Sequence, residues 1–173
     1  MILPSQRAQE FFEVYKSLLQ FVSLSAFGED VESIEDYIDA RDILFEDTNI
    51  VNEFITTAEN LNESNYIILR NIQKGIRDTF IYLKTLKKHS LLLGTSSNSI
   101  YCVLGLTDPI EEMIPNRLAI VDTAILNLGN QIVCDGLISN RNVIIGPNMR
   151  KDINVQYKKA RESNQLIAFI KNT

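Results

Sequence analysis

The chain has 173 residues, of which 45% are hydrophobic and 23% charged, and its formal net charge is −5. This composition excludes intrinsic disorder, which requires low hydrophobicity together with high net charge. A chain of this length can bury a core without disulfides or metals, so we predict one globular domain spanning residues 1–173.

The first residues, MILPSQRAQEFF, have neither the basic nor the apolar segment of a secretory signal. No later run approaches the ~18 apolar residues of a membrane span. Cys102 and Cys134 form no C-x-x-C pair and both fall in apolar segments, which is typical of small buried side chains in a reducing compartment. We therefore predict a cytoplasmic protein that does not contact a membrane.

The acidic residues are concentrated in one segment. Residues 29–63 contain twelve of the 22 acidic side chains and one basic side chain, Arg41, so sixteen of the 17 basic residues lie elsewhere. The twelve acids are Glu29, Asp30, Glu32, Glu35, Asp36, Asp39, Asp42, Glu46, Asp47, Glu53, Glu59 and Glu63. Each segment must therefore be considered by its own charge.

The first half of the chain has the apolar period of helices. Over residues 5–22, apolar side chains recur at the i, i+3, i+4, i+7 spacing of an amphipathic helix, and Gly28 is expected to end that region. A weaker helix is predicted over residues 31–45. A third helix follows an N-cap at Asp47 or Thr48.

The longest helix is predicted over residues 64–89. Gly75 weakens it by roughly 1 kcal/mol relative to alanine. His89, the only histidine, would lie at its end, where an imidazole complements the helix dipole. The buried face would consist of Leu69, Ile72, Ile76, Phe80 and Leu83.

The apolar period changes to that of strands after Leu91. Residues 91–107 are predicted to form two short strands around a Ser/Asn turn, and residues 108–115 one helical turn capped by Asp108. The segment 120–139 is predicted to be a hairpin around the dipeptide Gly129-Asn130, which is a strong signal for a two-residue loop.

A further strand is expected to break at Gly146 into a helix near residues 148–163, and residues 165–170 are a candidate last strand. Helices that precede strands indicate an α+β fold rather than alternating α/β. We predict a helical part, residues 1–89, packed on a mainly antiparallel sheet with one late helix, residues 90–173.

Asp122 and Asp135 lie among apolar residues of the predicted hairpin. A two-residue loop pairs Leu128 with Gln131 and sets Ala124 opposite Asp135. Asp122 and Asp135 then become diagonal neighbours on one face, roughly 7 Å apart at Cα. Both faces of the hairpin are apolar, so each carboxylate must be paired, solvated at the rim or functional.

Two carboxylates on one face could hold Mg²⁺ or Mn²⁺, but such sites recruit more oxygen ligands, and the spacing supplies no third one. The alternative is that Asp122 pairs with Arg117, Arg141 or Arg150, and that Asp135-Gly136 marks a bulge or strand end. We favour the ion pair because buried acids are nearly always paired. We therefore predict no cofactor, with Mg²⁺ or Mn²⁺ as the alternative.

The sequence GPNMRK, residues 146–151, is a candidate anion site. A glycine and a proline at a strand-to-helix junction leave the first N–H groups of the helix free, and Asn148, Arg150 and Lys151 add polar and cationic groups. An ordinary helix start has the same residue types and needs no ligand. The spacing is not that of a P-loop, so no nucleotide is implied.

Three segments, YCVLGLTDPIEE, LAIVDTAILNLGNQIVCDGLIS and IIGPNMRKDI, follow one another between Tyr101 and Ile153. The run resembles one in uncharacterised bacterial proteins, some of which carry an additional cysteine-rich metal-binding tail. The resemblance covers less than a third of the chain and implies a bacterial source but no function. No such tail is present in this sequence, so no metal site follows from the resemblance.

The acidic helices are either a solvated face, partly neutralised by the basic segment 70–88, or a surface that docks a basic partner. The overall acidity disfavours direct nucleic-acid binding. We predict a non-catalytic protein-binding or regulatory module that binds a protein with a basic surface or self-associates. The alternative is a metal-dependent enzyme acting on phosphate esters or nucleic acid through Asp122 and Asp135.

Overall fold

The computed structural model describes residues 2–114 and 116–171. The chain divides into two compact units, Pro4–Arg77, called the helical unit here, and Met1–Leu3 with Asp78–Thr173, called the strand unit. The helical unit carries fourteen acidic and six basic residues, and the strand unit carries eight acidic and eleven basic residues. The uneven charge of the sequence is therefore divided between the two units.

The helical unit consists of four helices joined by short turns. They are α1 (Ser5–Phe27), α2 (Ile34–Glu46), α3 (Ile50–Thr57) and α4 (Glu63–Gln73). Gly28 ends α1 as predicted, because its φ of 73° is readily adopted only without a side chain, and its N–H donates to Leu24 O. Ser33 begins α2 with a capping box, and Asn62 begins α4 in the same way.

One face of α1 forms the centre of the helical unit. The helix contacts α2, α3 and α4, and its buried side chains follow the predicted helical spacing. Phe21 on α1 packs against Phe54 of α3, with ring centroids 5.5 Å apart. The buried residues of α1 are Ala8, Phe11, Val14, Tyr15, Leu18, Leu19, Val22 and Ser23.

Arg41, the one basic residue of the acidic segment, is fully buried. Its Nε donates to Asp42 Oδ1 at 2.8 Å. Arg77 also binds this carboxylate, with Nη2 2.7 Å from Asp42 Oδ2 and Nε 3.1 Å from Oδ1. A buried charge needs such a partner. Arg41 therefore belongs to the interior of the helical unit.

The long helix predicted over residues 64–89 is wrong in its second half. The helix α4 ends at Gln73, and Ile76–Thr85 is the first strand, β1. The four-residue spacing of Ile72, Ile76 and Phe80 fits both a helix and a strand, since four is a multiple of the strand period of two. Gly75 separates the two elements, so the helical part ends well before His89.

The strand unit contains the rest of the sheet and two helices. After β1 come β2 (Ser90–Gly94), β3 (Ile100–Leu104), α5 (Ile110–Met113), β4 (Ile120–Leu128), β5 (Gln131–Cys134), β6 (Ser139–Asn140) and α6 (Pro147–Glu162). Helices in the first half, a sheet that is mostly antiparallel, and a late helix confirm the α+β prediction.

The strand order is β1-β2-β3-β5-β4-β6, and β1 also pairs with β4. Five strands therefore form a closed ring of pairings in the order β1-β2-β3-β5-β4. Within it β3 and β5 are parallel, while β1–β2, β2–β3 and β4–β5 are antiparallel. This order, with a short helix between β3 and β4, is the connectivity of an OB-fold barrel. Connectivity of this kind does not assign a function.

The helix α6 packs on one face of β1, β2 and β3. Side chains from these strands form a buried cluster with Ile145 and Ile153, against which Tyr157 and Ala160 of α6 also pack. On the opposite side of these strands, Phe80 contacts Tyr101 with ring centroids 6.1 Å apart. The strand members of the cluster are Ile81, Leu83, Leu91, Leu93, Ile100 and Cys102. Both faces of these strands are therefore covered.

Three smaller predictions are wrong. Residues 165–170 are not a strand: Ile167 makes a single bridge to Tyr101, and the side chain of Asn127 binds the backbone of Ile170 at 2.8 and 3.0 Å. Residues 143–145 are not a strand either, because β6 ends at Asn140. Asp108 does not cap α5, since its carboxylate accepts from the Thr107 hydroxyl instead.

Among the described residues, no helix is long and apolar enough to cross a membrane.

His89 lies in the turn between β1 and β2, not at a helix end. Its Nε2 atom is buried and has no hydrogen-bond partner among residues 2–114 and 116–171. Burial lowers the pKa of His89, and the charge of Lys88 lowers it further. The neutral imidazole is therefore favoured in the folded state.

We expect His89 to make the strand unit less stable in mild acid. Its folded pKa lies below its unfolded value, so its contribution is complete above about pH 6.5 and decreases as the pH falls below that value. In His89→Gln the free energy of unfolding should decrease less than in the wild type between about pH 7.5 and about pH 5.5. Parallel urea titrations measure this difference, and identical decreases in the two proteins would contradict it.

Candidate functional site

The hairpin that carries the two aspartates has the predicted register up to Asp135. Leu128 pairs with Gln131 across the two-residue loop, and the N–H of Asp135 donates to Ala124 O at 3.0 Å. Beyond this point Gly136, with a φ of 88°, ends the regular pairing. Between Asp135 and β6 the chain contains two residues more than the predicted register allows, so that Asp122 pairs with Ser139 of β6.

Asp122 forms an ion pair with Arg141. Its side chain accepts from Arg141 Nε at 2.5 Å and from Nη2 at 3.0 Å, and from the Thr79 hydroxyl at 2.6 Å. The side-chain hydrogen bond to Asp122, with the charge of that carboxylate, raises the pKa of Arg141. The predicted ion pair is confirmed, and of the three arginines considered the partner is Arg141.

Asp135 is 1% exposed and binds the end of β5. Its Oδ1 accepts from the Thr123 hydroxyl at 2.9 Å and from the Leu137 N–H at 3.1 Å. The thiol of Cys134 lies 3.1 Å from the same hydroxyl. Asp135 thus binds Thr123 and Leu137 next to the end of β5, whereas Asp122 binds Thr79 and Arg141.

Among residues 2–114 and 116–171, no group of three or more His, Cys, Asp and Glu side chains has the geometry to hold a metal ion. Cys102 and Cys134 are buried, and neither is part of a disulfide. Burial raises the pKa of Cys102. A raised pKa leaves little thiolate, which is the reactive form of the side chain.

The residues of the candidate anion site at the start of α6 are exposed. The N-cap residue is Gly146, so no side chain caps the helix. Asn148, Arg150 and Lys151 lie in or next to the first turn. Arg150 is directed backward, because its Nε donates to Ile145 O at 2.9 Å. The predicted strand-to-helix junction is thus a loop-to-helix junction, and anion binding by these residues stays a prediction.

The acidic segment forms a concave surface at the end of α1 and the start of α2. The cavity has a volume of about 930 Å³, and we call it the acidic hollow. It is lined by Ser23, Ala26, Phe27, Glu29, Asp30, Glu32, Asp36 and Asp39. Five of these eight residues are acidic and none is basic.

Hydrogen bonds within the turn between α1 and α2 fix the shape of the acidic hollow. The hydroxyl of Ser23 donates to Glu29 O at 2.9 Å, and the Asp30 carboxylate accepts from the next N–H, that of Val31, at 2.8 Å. The N–H groups of Glu32 and Ser33 donate to Asp36. These backbone hydrogen bonds, with one from the Ser33 hydroxyl, lower the pKa of Asp36.

The charge of the acidic hollow is not neutralised within the described part of the chain. No ion pair to Glu29, Asp30, Glu32, Asp36 or Asp39 occurs among residues 2–114 and 116–171. The last turn of α1 has no basic residue, although the negative end of the helix dipole favours one there. The acids therefore repel one another and the end of the helix, and a bound cationic group would relieve both repulsions.

Large apolar side chains lie beside the acidic hollow. Phe27, which lines it, is 54% exposed, and Leu24, one turn earlier on α1, is 52% exposed. Ile34, the first residue of α2, is 67% exposed. Exposed apolar groups rimmed by polar residues are typical of surfaces that bind other proteins.

Comparison with protein family models, with curated proteins and with solved structures finds no match. The geometry and charge of these sites are therefore the basis for assigning a function.

Proposed function

We propose that the protein is a non-catalytic binding module whose acidic hollow holds a basic segment of a partner protein. The observation that carries this proposal is that five acidic side chains line one concave surface to which no basic residue of the described part of the chain contributes. A solvated helix face would bear similar charge. It would not require the concave backbone between α1 and α2 or an exposed phenylalanine within it.

Electrostatics favour a partner with several cationic groups. Each exposed ion pair contributes only about 0.2–1 kcal/mol, so one lysine would be held weakly. Several cations facing the five acids would add their contributions and would also accelerate association through the field of the surface. The interaction should therefore weaken strongly with added salt.

Phe27 supplies the apolar part of the proposed contact. Protein interfaces obtain most of their affinity from a few aromatic or apolar side chains, and surrounding polar groups exclude water. Phe27 lines the acidic hollow together with the five acids and is more than half exposed. The best-fitting partner segment therefore carries lysine or arginine residues next to an apolar side chain, rather than a run of cations alone.

The proposal predicts binding of a synthetic peptide in which lysines alternate with leucines. Combining Glu29→Gln, Glu32→Gln and Asp39→Asn should reduce its affinity about tenfold, since three exposed pairs of about 0.3–0.5 kcal/mol each are lost. Asp36 is left intact because it caps α2. Isothermal titration calorimetry at low and at physiological ionic strength measures the affinity and its salt dependence.

The matched control combines Glu111→Gln, Glu112→Gln and Glu162→Gln in the strand unit, which changes the net charge by the same amount at exposed positions. The control should alter the affinity by less than about twofold. Equal losses in the two triple variants would show that the peptide responds to net charge alone and would contradict the proposal. Sedimentation of the free chain separately tests the alternative of self-association.

A further inference from the structure

A second charged surface lies in the strand unit, where two adjoining cavities share Arg117, Leu118 and Arg150. The first has a volume of about 420 Å³ and is also lined by Leu83, Lys84, Ile153, Asn154 and Tyr157. The second has a volume of about 490 Å³ and is also lined by Asn116, Ala119, Asn140, Asn142, Val143, Ile144 and Ile145. We call the two cavities together the arginine groove. None of the described residues that line them is acidic.

A bulge in β1 holds Arg117 in place. The pairing of β1 with β2 shifts between Tyr82 and Lys84, so that Leu83 is the additional residue. Arg117 Nε donates to the carbonyl oxygen of Leu83 at 3.3 Å. Next to it, Leu118 has a φ of 64°, which is rare for a bulky side chain, and its N–H donates to Tyr82 O at 2.7 Å. Strained backbone of this kind often occurs at ligand sites.

Arg150 is held in the same manner from α6, because its Nε donates to Ile145 O. The terminal amino groups of Arg117 and Arg150 make no hydrogen bond to residues 2–114 or 116–171. The ammonium of Lys84 lies 4.2 Å from the centroid of the Tyr157 ring. Two oriented guanidinium groups and one ammonium group therefore line the groove, with no acidic side chain among its described lining residues.

We propose that the arginine groove binds the phosphate group of a small ligand, a phosphomonoester or a diphosphate. Guanidinium groups match phosphate oxygens with paired hydrogen bonds, and fixing each arginine through Nε reduces the side-chain entropy lost on binding. Three cations without an acid fit a ligand with two or three negative charges. Four asparagines in the lining offer hydrogen bonds to the rest of the ligand.

The size and surroundings of the groove favour a small ligand over a nucleic acid. Its two cavities fall within the ~300–1,000 Å³ of small-molecule sites. OB-fold barrels bind oligonucleotides on the face of strands 2 and 3. Here that face is packed against α6 through Leu91, Leu93 and Ile153.

This site differs from an anion site at the start of α6. Arg150 is common to both, but Arg117 and Lys84 come from other elements, and the structure does not place Asn148 or Lys151 in the lining of the groove. The proposal also does not depend on the acidic hollow, which belongs to the helical unit. Its failure would leave the proposed protein binding unaffected.

The probes are pyrophosphate and inorganic phosphate, titrated into the full chain by calorimetry at constant ionic strength. Arg117→Gln and Arg150→Gln should each weaken pyrophosphate binding at least about tenfold, since each removes a charged hydrogen-bond donor. Lys151→Gln, the matched control, should change it less than about twofold. Arg117→Lys and Arg150→Lys, which keep the charge but lose the guanidinium fork, should give intermediate losses. Lys84→Met tests the groove without touching the Arg117 hydrogen bond, and it should also weaken binding.

Several outcomes would overturn the proposal. Absence of pyrophosphate binding would do so, as would equal binding by wild type, Lys84→Met and both glutamine variants. A loss in Lys151→Gln as large as that in Arg117→Gln would assign the anion to the start of α6. A short oligothymidine that binds more tightly than pyrophosphate and depends on the same arginines would make the groove a nucleic-acid surface instead. Circular dichroism and melting temperature verify that each variant is folded.

Discussion

Replacing Gly105 with alanine should destabilise the protein by at least about 3 kcal/mol, because overpacking against backbone cannot be relieved by a side-chain rotation. An added Cβ would lie 1.8 Å from the carbonyl oxygen of Asp108 and 3.0 Å from its carbonyl carbon. The carbonyl of Gly105 also accepts the Leu3 N–H at 3.1 Å, so backbone contacts hold Gly105 on more than one side. Urea unfolding of the full chain measures the loss.

Gly146→Ala is the matched control for this substitution. Among residues 2–114 and 116–171, no heavy atom beyond the two chain neighbours lies within 4 Å of the place that a Cβ at Gly146 would take, and the φ of −70° at Gly146 is ordinary for any residue. Because Gly146 is the N-cap of α6, replacing it with alanine should reduce the free energy of unfolding by less than about 1 kcal/mol. Similar losses in the two variants would show that the turn from Gly105 to Asp108 adapts to a side chain.

Asp122→Asn and Asp135→Asn should each reduce the free energy of unfolding by on the order of 1–3 kcal/mol. In the first variant Arg141 loses its anionic partner. The Arg141 side chain is half exposed, so water screens this ion pair and the loss of stability is smaller than for a buried pair. In the second, the Thr123 hydroxyl and the Leu137 N–H lose a charged acceptor in a site that is 1% exposed. We therefore expect the larger loss at Asp135.

Asp152→Asn, at an exposed position of α6, is the control and should leave the stability within about 0.5 kcal/mol of the wild type. The same variants test the metal-dependent alternative. If Mg²⁺ or Mn²⁺ raised the melting temperature of the wild type by several degrees, and both folded aspartate variants lost this response, the carboxylates would be metal ligands. The enzyme interpretation would then replace the binding module.

The sequence predicts best where one local rule acts alone. Gly28 ends α1 because the left-handed backbone at that position favours glycine, and Gly129-Asn130 fixes the register of the hairpin. Asp122 pairs with an arginine because a carboxylate among apolar residues needs a partner. In each case a single residue type determines the local structure.

The sequence predicts poorly where distant pairing decides the structure. The segment after Gly75 has apolar residues that suit a helix or a strand, and pairing of β1 with both β2 and β4 selects the strand. The last residues have an apolar pattern typical of a strand, but Asn127 binds Ile170 through its side chain instead. Local spacing contains no information about either contact.

The two proposed sites also differ in how much of each could be predicted from the sequence. The acids of the hollow are visible as a run of charge, but the concave backbone depends on Gly28 and on the hydrogen bond from Ser23 to Glu29. The arginine groove brings together residues 84, 117 and 150, which are far apart in sequence. Of these, only Arg150 could be predicted as an anion ligand, because it follows a Gly-Pro helix start.

The most direct test of the proposed protein binding is a backbone amide titration of the ¹⁵N-labelled full chain with the lysine–leucine peptide. The proposal predicts that resonances of residues 23–39, above all Phe27 and Glu29, shift progressively as peptide is added, while those of the strand unit change little. A peptide that binds but shifts only resonances of residues 78–171, or a chain that shows no shift at low ionic strength, would contradict it.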